Sequence, residues 1–105
     1  MIPFIEEIED IKNQLIKLYN PSKIILFGSC AKGIARKDSD IDLCVIGDYD
    51  NKKNRLMDML INIESYRDID FILYRETEWI KYIQDTATFA SLINREGVVL
   101  YGWYT

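Results

Sequence analysis

An α/β fold, one small mixed sheet of about four strands flanked by helices, is predicted by two features of the 105-residue sequence. Four short apolar runs, residues 24–27, 41–46, 69–74 and 98–101, are each closed off by glycine or polar turn residues. Between them lie segments whose apolar positions recur every three or four residues, the mark of helices with one buried face. Helix and strand patterns alternate along the chain, which is the order of a layered α/β structure.

The first helix is read from Ile5, Ile8, Ile11, Leu15 and Leu18, with Glu6, Glu7, Glu9 and Lys12 between them. Pro3 suits its start, and Asn20-Pro21 stops it. Residues 24–27 form the first strand, ending at Gly28. Residues 29–36 read as a short helix, followed by the polar turn Lys37-Asp38-Ser39. Residues 41–46 are the second strand, closed by Gly47-Asp48. A helix over residues 51–65 is indicated by Leu56, Met59, Leu60 and Ile63. Residues 69–74 are the third strand. Residues 78–94 are helical, in two pieces broken near Asp85-Thr86, with Ile80, Ile83, Ala87, Ala90 and Ile93 expected to face inward. After a turn at Gly97, residues 98–101 form the last strand, and Tyr101, Trp103 and Tyr104 make an aromatic tail expected to pack back onto the domain.

Composition narrows the chemistry. At 49% hydrophobic residues the chain has a core, and its length is that of one domain spanning residues 1–105. No apolar run approaches the roughly 20 residues that cross a bilayer, and the N-terminus lacks the pattern of a secretory signal, so a cytoplasmic protein with no membrane association is expected. There is no histidine. Ser-His-Asp and Cys-His nucleophile systems are therefore excluded, as is any histidine-bearing metal site. Cys30 and Cys44 read as small buried apolar residues. The net charge of -4, with Lys32, Arg36 and Lys37 as one local basic cluster, disfavours a long nucleic-acid substrate.

What remains is carboxylate chemistry. Asp40 and Asp42 flank Ile41 at the head of a strand, where side chains alternate, so both carboxylates share one face. Two like charges on one face repel unless a cation lies between them. A polar strand edge, or Asp40 closing a turn with Ser39, is the plainer reading of the same residues. A third carboxylate is offered by Arg67-Asp68-Ile69-Asp70. Asp70 abuts the apolar run as Asp42 does and is the better placed, with Asp68 nearer solvent; whether Asp68 shares its role stays open. Three close carboxylates without a cation imply that at least one has a raised pKa. Separated from Asp40 by ten residues, Gly28-Ser29 joins a strand to a helix, a turn that lets phosphate approach the backbone and the helix start. An ordinary strand-to-helix turn has the same look.

Taken together, Gly28-Ser29-Cys30-Ala31-Lys32-Gly33 followed by Asp38-Ser39-Asp40-Ile41-Asp42-Leu43 resembles the signature of the DNA polymerase β-like nucleotidyltransferase superfamily. The shortness of the chain and its closing Arg95-Glu96-Gly97-Val98-Val99-Leu100-Tyr101 are similar to the minimal nucleotidyltransferase branch. The resemblance implies the polymerase β-like fold. It implies that Gly28, Ser29 and Ser39 bind the nucleotide, and that Asp40, Asp42 and Asp70 are both catalytic and metal-binding, holding two Mg²⁺ ions with ATP as substrate. Lys32 stands where the family often has arginine, keeping the charge without the bidentate fork.

Larger relatives carry a domain for the acceptor, so this chain is expected to use a partner. The resemblance points to a HEPN ribonuclease toxin, one of whose tyrosines would be adenylylated and silenced, the chain being the antitoxin. Two alternatives stand beside this: an antitoxin that neutralises its partner by binding alone, and a transferase modifying a small molecule such as an aminoglycoside.

Overall fold

The computed structural model describes residues 2–102. Helix α1 (Ile5–Tyr19) leads to β1 (Lys23–Phe27), the one-turn α2 (Gly28–Ala31), β2 (Ile41–Gly47), α3 (Lys52–Asn62), β3 (Ile69–Arg75), α4 (Glu76–Tyr82), α5 (Phe89–Glu96) and β4 (Val98–Gly102). The strands form one mixed sheet in the order β3-β2-β1-β4. Strand β1 runs antiparallel to both neighbours, and β2 runs parallel to β3, as the crossover through α3 requires.

The alternation of side chains along β1 and β2 divides the core into two layers. Ile24, Leu26, Leu43 and Val45 meet Ile8, Ile11 and Leu15 of α1 and Met59 of α3 on one face. Ile25, Cys44 and Ile46 meet Trp79 of α4 and Ala90 and Ile93 of α5 on the other. The two central strands are thus covered on both sides, which is why their sequences read as continuous apolar runs. Cys30 and Cys44 are free and buried.

Several elements depart from the sequence reading. The helix expected over residues 29–36 is the single turn α2. It stops because Gly33 takes a left-handed φ of 72°, its N–H bonding to the carbonyl of Cys30. Helix α3 ends at Asn62, not residue 65. There Ile63 turns extended and Gln14 of α1 captures the backbone of Glu64 through both its N–H and its carbonyl, at 2.8 Å each.

The last helical stretch is split into α4 and α5. Thr88 makes the break: its hydroxyl accepts from Ser91 N and donates to Tyr82 O. Helix α4 begins two residues earlier than expected, where Glu78 Oε1 accepts from Arg75 N at 2.9 Å. Its inward side is set by Trp79, with Ile83 one turn later. Ile80 is therefore rotated about 100° away and is 58% exposed, not inward. Ala87, also expected inward, lies in the break and is exposed. Leu18 and Leu60 fit the helical period, yet each is half exposed. Of the aromatic tail, Tyr101 lies on β4 and is partly exposed, while Trp103 and Tyr104 fall outside the described residues.

Candidate active site

The site is built where β1 ends. Phe27 is extended, and the next residue, Gly28, takes a φ of 70° that turns the chain straight into α2. A Cβ at Gly28 would collide with the Asp42 carboxylate oxygen Oδ2. Only glycine therefore lets this turn and that carboxylate lie against each other.

Asp42 is the Cα partner of Phe27 on β1 and of Asp70 on β3. Directly paired residues share a face, so Asp42 and Asp70 stand side by side on the face that carries α4 and α5. Their carboxyl groups are within hydrogen-bonding reach. Burial pushes the Asp42 carboxyl up to about 6, reinforced by the charge of Asp70, the hydrogen bond to Asp70 and the charge of Asp40. Such a bond needs a proton on one carboxyl. Asp40 lies one residue ahead of β2 and is exposed, as is Asp70, whereas Asp42 is half buried. Asp68 precedes β3 and is exposed; its carbonyl accepts from Ile41 N at 3.0 Å, so it helps align the two strands.

Two adjoining cavities open on Asp40 and Asp68, and one of them on Asp70; Asp42 lines neither. One, of about 410 Å³, is lined by Asp40, Asp68 and Asp70 together with Leu60 and Ile63. The other, of about 220 Å³, is lined by Lys37, Ser39, Asp40, Tyr66, Arg67 and Asp68. Ser39 closes a local turn: its hydroxyl accepts from Arg36 N at 2.7 Å and keeps its own proton to donate outward. Cys30 Sγ reaches the Asp40 carbonyl at 3.7 Å, tying α2 to the head of β2. Burial, aided by the charge of Asp42, raises this thiol's pKa, which keeps it neutral. Lys32 is held by Glu96 of α5 at 3.2 Å, with both side chains about half exposed.

Two side chains at this end were not singled out from sequence. Arg67 bonds the Lys37 carbonyl, pairs with Glu7 of α1 at 2.8 Å and lies 3.4 Å over the Phe4 ring. It thus fastens the loop that carries Ser39 and Asp40. Phe89 meets Phe27, the strand partner of Asp42, edge-on at 5.6 Å and so packs α5 against the end of β1. Both roles rest on contacts between distant segments, which no local pattern announces.

Among the described residues no three acidic or thiol side chains are gathered into a cage for one ion. Magnesium does not require one. It is held by one or two carboxylates, with phosphate oxygens and water completing its shell. The donors here are hard carboxylate oxygens, and the Asp42–Asp70 pair carries an excess of negative charge, so the residues fit a divalent cation.

The same region carries a family likeness. The family model described as polymerase beta, nucleotidyltransferase matches residues 9–102. The chain belongs to this nucleotidyltransferase family. Its mixed sheet with helices on both faces is that of the polymerase β-like fold. The nucleotidyltransferase superposes on a Sulfolobus solfataricus protein assigned as a nucleotidyltransferase, with a TM-score of 0.66 and 19% identity, over 96% of this chain and 82% of that one. It also superposes on a chain from a toxin–antitoxin structure with AMP-PNP, with a TM-score of 0.55 and 23% identity, over 90% of this chain and 73% of that one. At these identities the likeness is one of fold. No curated protein matches the nucleotidyltransferase. Among the described residues no helix is long and apolar enough to cross a membrane.

Proposed function

We propose that the chain transfers AMP from ATP to a hydroxyl group, the acceptor being a tyrosine of a HEPN ribonuclease toxin, and that it acts in the cytoplasm as the antitoxin of a toxin–antitoxin pair. The observation that carries the reading is the pairing of Asp42 with Asp70 against the bare backbone of Gly28. Family membership supports nucleotidyl transfer. The toxin–antitoxin neighbour with AMP-PNP supports an ATP-like donor and a toxin partner.

Asp40, Asp42 and Asp70 are the residues to hold two Mg²⁺ ions, which would supply charge neutralisation of the triphosphate and polarisation at its α-phosphorus. Gly28 lets the Asp42 carboxylate lie against the turn that opens α2, and the hydroxyls of Ser29 and Ser39 are donors to the triphosphate. Asp70, exposed at the cleft, accepts the acceptor hydroxyl's proton. The acceptor oxygen then bonds to the α-phosphorus, the bond to the bridging oxygen breaks, and pyrophosphate leaves. Positioning and charge do most of the work, and no histidine is required.

The test is intact-mass spectrometry of a candidate HEPN partner incubated with this protein, Mg²⁺ and ATP. An added AMP on a partner tyrosine, absent with an Asp40→Asn/Asp42→Asn variant, is expected. Full neutralisation of the toxin by that double variant, with no mass change in either case, would establish binding alone instead.

A further inference from the structure

The loop between α3 and β3 is pinned on both sides. Glu64 is bonded through its backbone to Gln14, at 2.8 Å in each direction. Arg67 is fixed by Glu7, by the Lys37 carbonyl and by its own N–H to Ser65 Oγ at 3.1 Å. The carbonyl of Asp68 is bonded to Ile41 at the head of β2. Between these anchors Tyr66 is 102% exposed.

A tyrosine held out from a fastened loop is not a packing residue. Nor is it remote from the chemistry. Tyr66 lines the 220 Å³ cavity together with Lys37, Asp38, Ser39, Asp40, Arg67 and Asp68, so it shares that cavity with Asp40 of the carboxylate site. Its other side borders a cavity of about 530 Å³ against Glu6, Glu7 and Asp10 of α1. The remaining tyrosines of the described residues are placed differently. Tyr49 is buried; Tyr19, Tyr74 and Tyr82 are half buried in the packing; Tyr101 pairs with Ile24, away from the end of β1 that leads to Gly28.

We propose that Tyr66 is an acceptor of the chain's own nucleotidyl transfer, so that the protein adenylylates itself at this position. The proposal rests on the AMP-transfer reading above and adds to it an acceptor within the chain. The Tyr66 hydroxyl oxygen bonds to the α-phosphorus of ATP, the bond to the bridging oxygen breaks, pyrophosphate departs, and the phenolic proton passes to a cleft carboxylate and on to solvent. The product is a phosphodiester at the mouth of the cleft, where it occupies the space an external tyrosine would enter. Self-modification therefore lowers the rate of transfer to a partner.

The test uses the full chain with Mg²⁺ and ATP, read by intact mass and by peptide mapping. One AMP on Tyr66 is expected in the wild type, with complete loss in Tyr66→Phe and in Asp42→Asn. Tyr66→Phe removes only an exposed hydroxyl, so its fold is checked simply by an unchanged melting temperature. A wild-type chain that binds Mg-ATP in calorimetry and modifies a partner tyrosine, yet stays unmodified or carries AMP elsewhere, overturns the proposal and spares the transferase reading. A chain that neither binds Mg-ATP nor modifies any acceptor overturns both.

Discussion

Asp42 is costly to the empty protein, and replacing it with asparagine is predicted to stabilise the fold while abolishing transfer. The carboxyl is half buried, faces Asp70 across the β2–β3 register and has its pKa pushed up to about 6. A rise of that size corresponds to about 3 kcal/mol between the two protonation states. Part of the side chain still meets water, which screens the effect, so about 1–2 kcal/mol is expected. The sign follows from proton linkage. The folded state holds this proton more tightly than the unfolded chain does, so stability is lost as pH rises through the window from about 4 to about 6, and stays lost above it. Asparagine keeps the shape without the charge and can donate to Asp70. Chelator-treated wild type and Asp42→Asn are unfolded by heat and by urea at about pH 4 and about pH 7.5, titrations common to both proteins cancelling in the difference. The variant is expected to melt about 4–8 °C higher at the upper pH and to match the wild type at the lower. A variant no more stable than wild type at the upper pH, or a difference independent of pH, refutes the reasoning.

Other perturbations have equally definite outcomes. Gly28→Ala places a Cβ on the Asp42 carboxylate at a φ of 70° and is expected to cost about 1–3 kcal/mol in urea unfolding and to remove nucleotide binding in calorimetry. Arg67→Ala frees the loop bearing Ser39 and Asp40; about 1–3 kcal/mol is expected to be lost by thermal melting. Arg67→Lys should not restore that stability, because a lysine cannot reproduce the planar fork over Phe4. On α4, Trp79→Ala is expected to cost about 3–5 kcal/mol, whereas Ile80→Ser, one residue on but solvent-facing, should stay within about 0.5 kcal/mol.

The strands were legible because each is a local event. Runs such as Ile24 to Phe27 and Ile69 to Tyr74 are apolar and bounded, and the structure extends each by only a residue. Helix existence was legible for the same reason. Helix limits and rotation were not, because tertiary contacts set them: Gln14 ends α3 by taking the backbone of Glu64, and Trp79 turns α4 so that Ile80 faces water. At the site, the spacing of Gly28, Asp40, Asp42 and Asp70 carries the family likeness in sequence. Their convergence needed the sheet register, which sets Asp42 beside Asp70 and leaves Asp40 just ahead of its strand. The fastening of the Asp40 loop by Arg67 was invisible, since Glu7, Lys37 and Phe4 reach it only in the folded chain.

The most direct test of the central claim is a crystal structure with Mg²⁺ and a non-hydrolysable ATP analogue. The account predicts metal density at the carboxylates of Asp40, Asp42 and Asp70, with the triphosphate lying against Gly28 and Ser29. An analogue bound elsewhere, with those carboxylates free of metal, would contradict it.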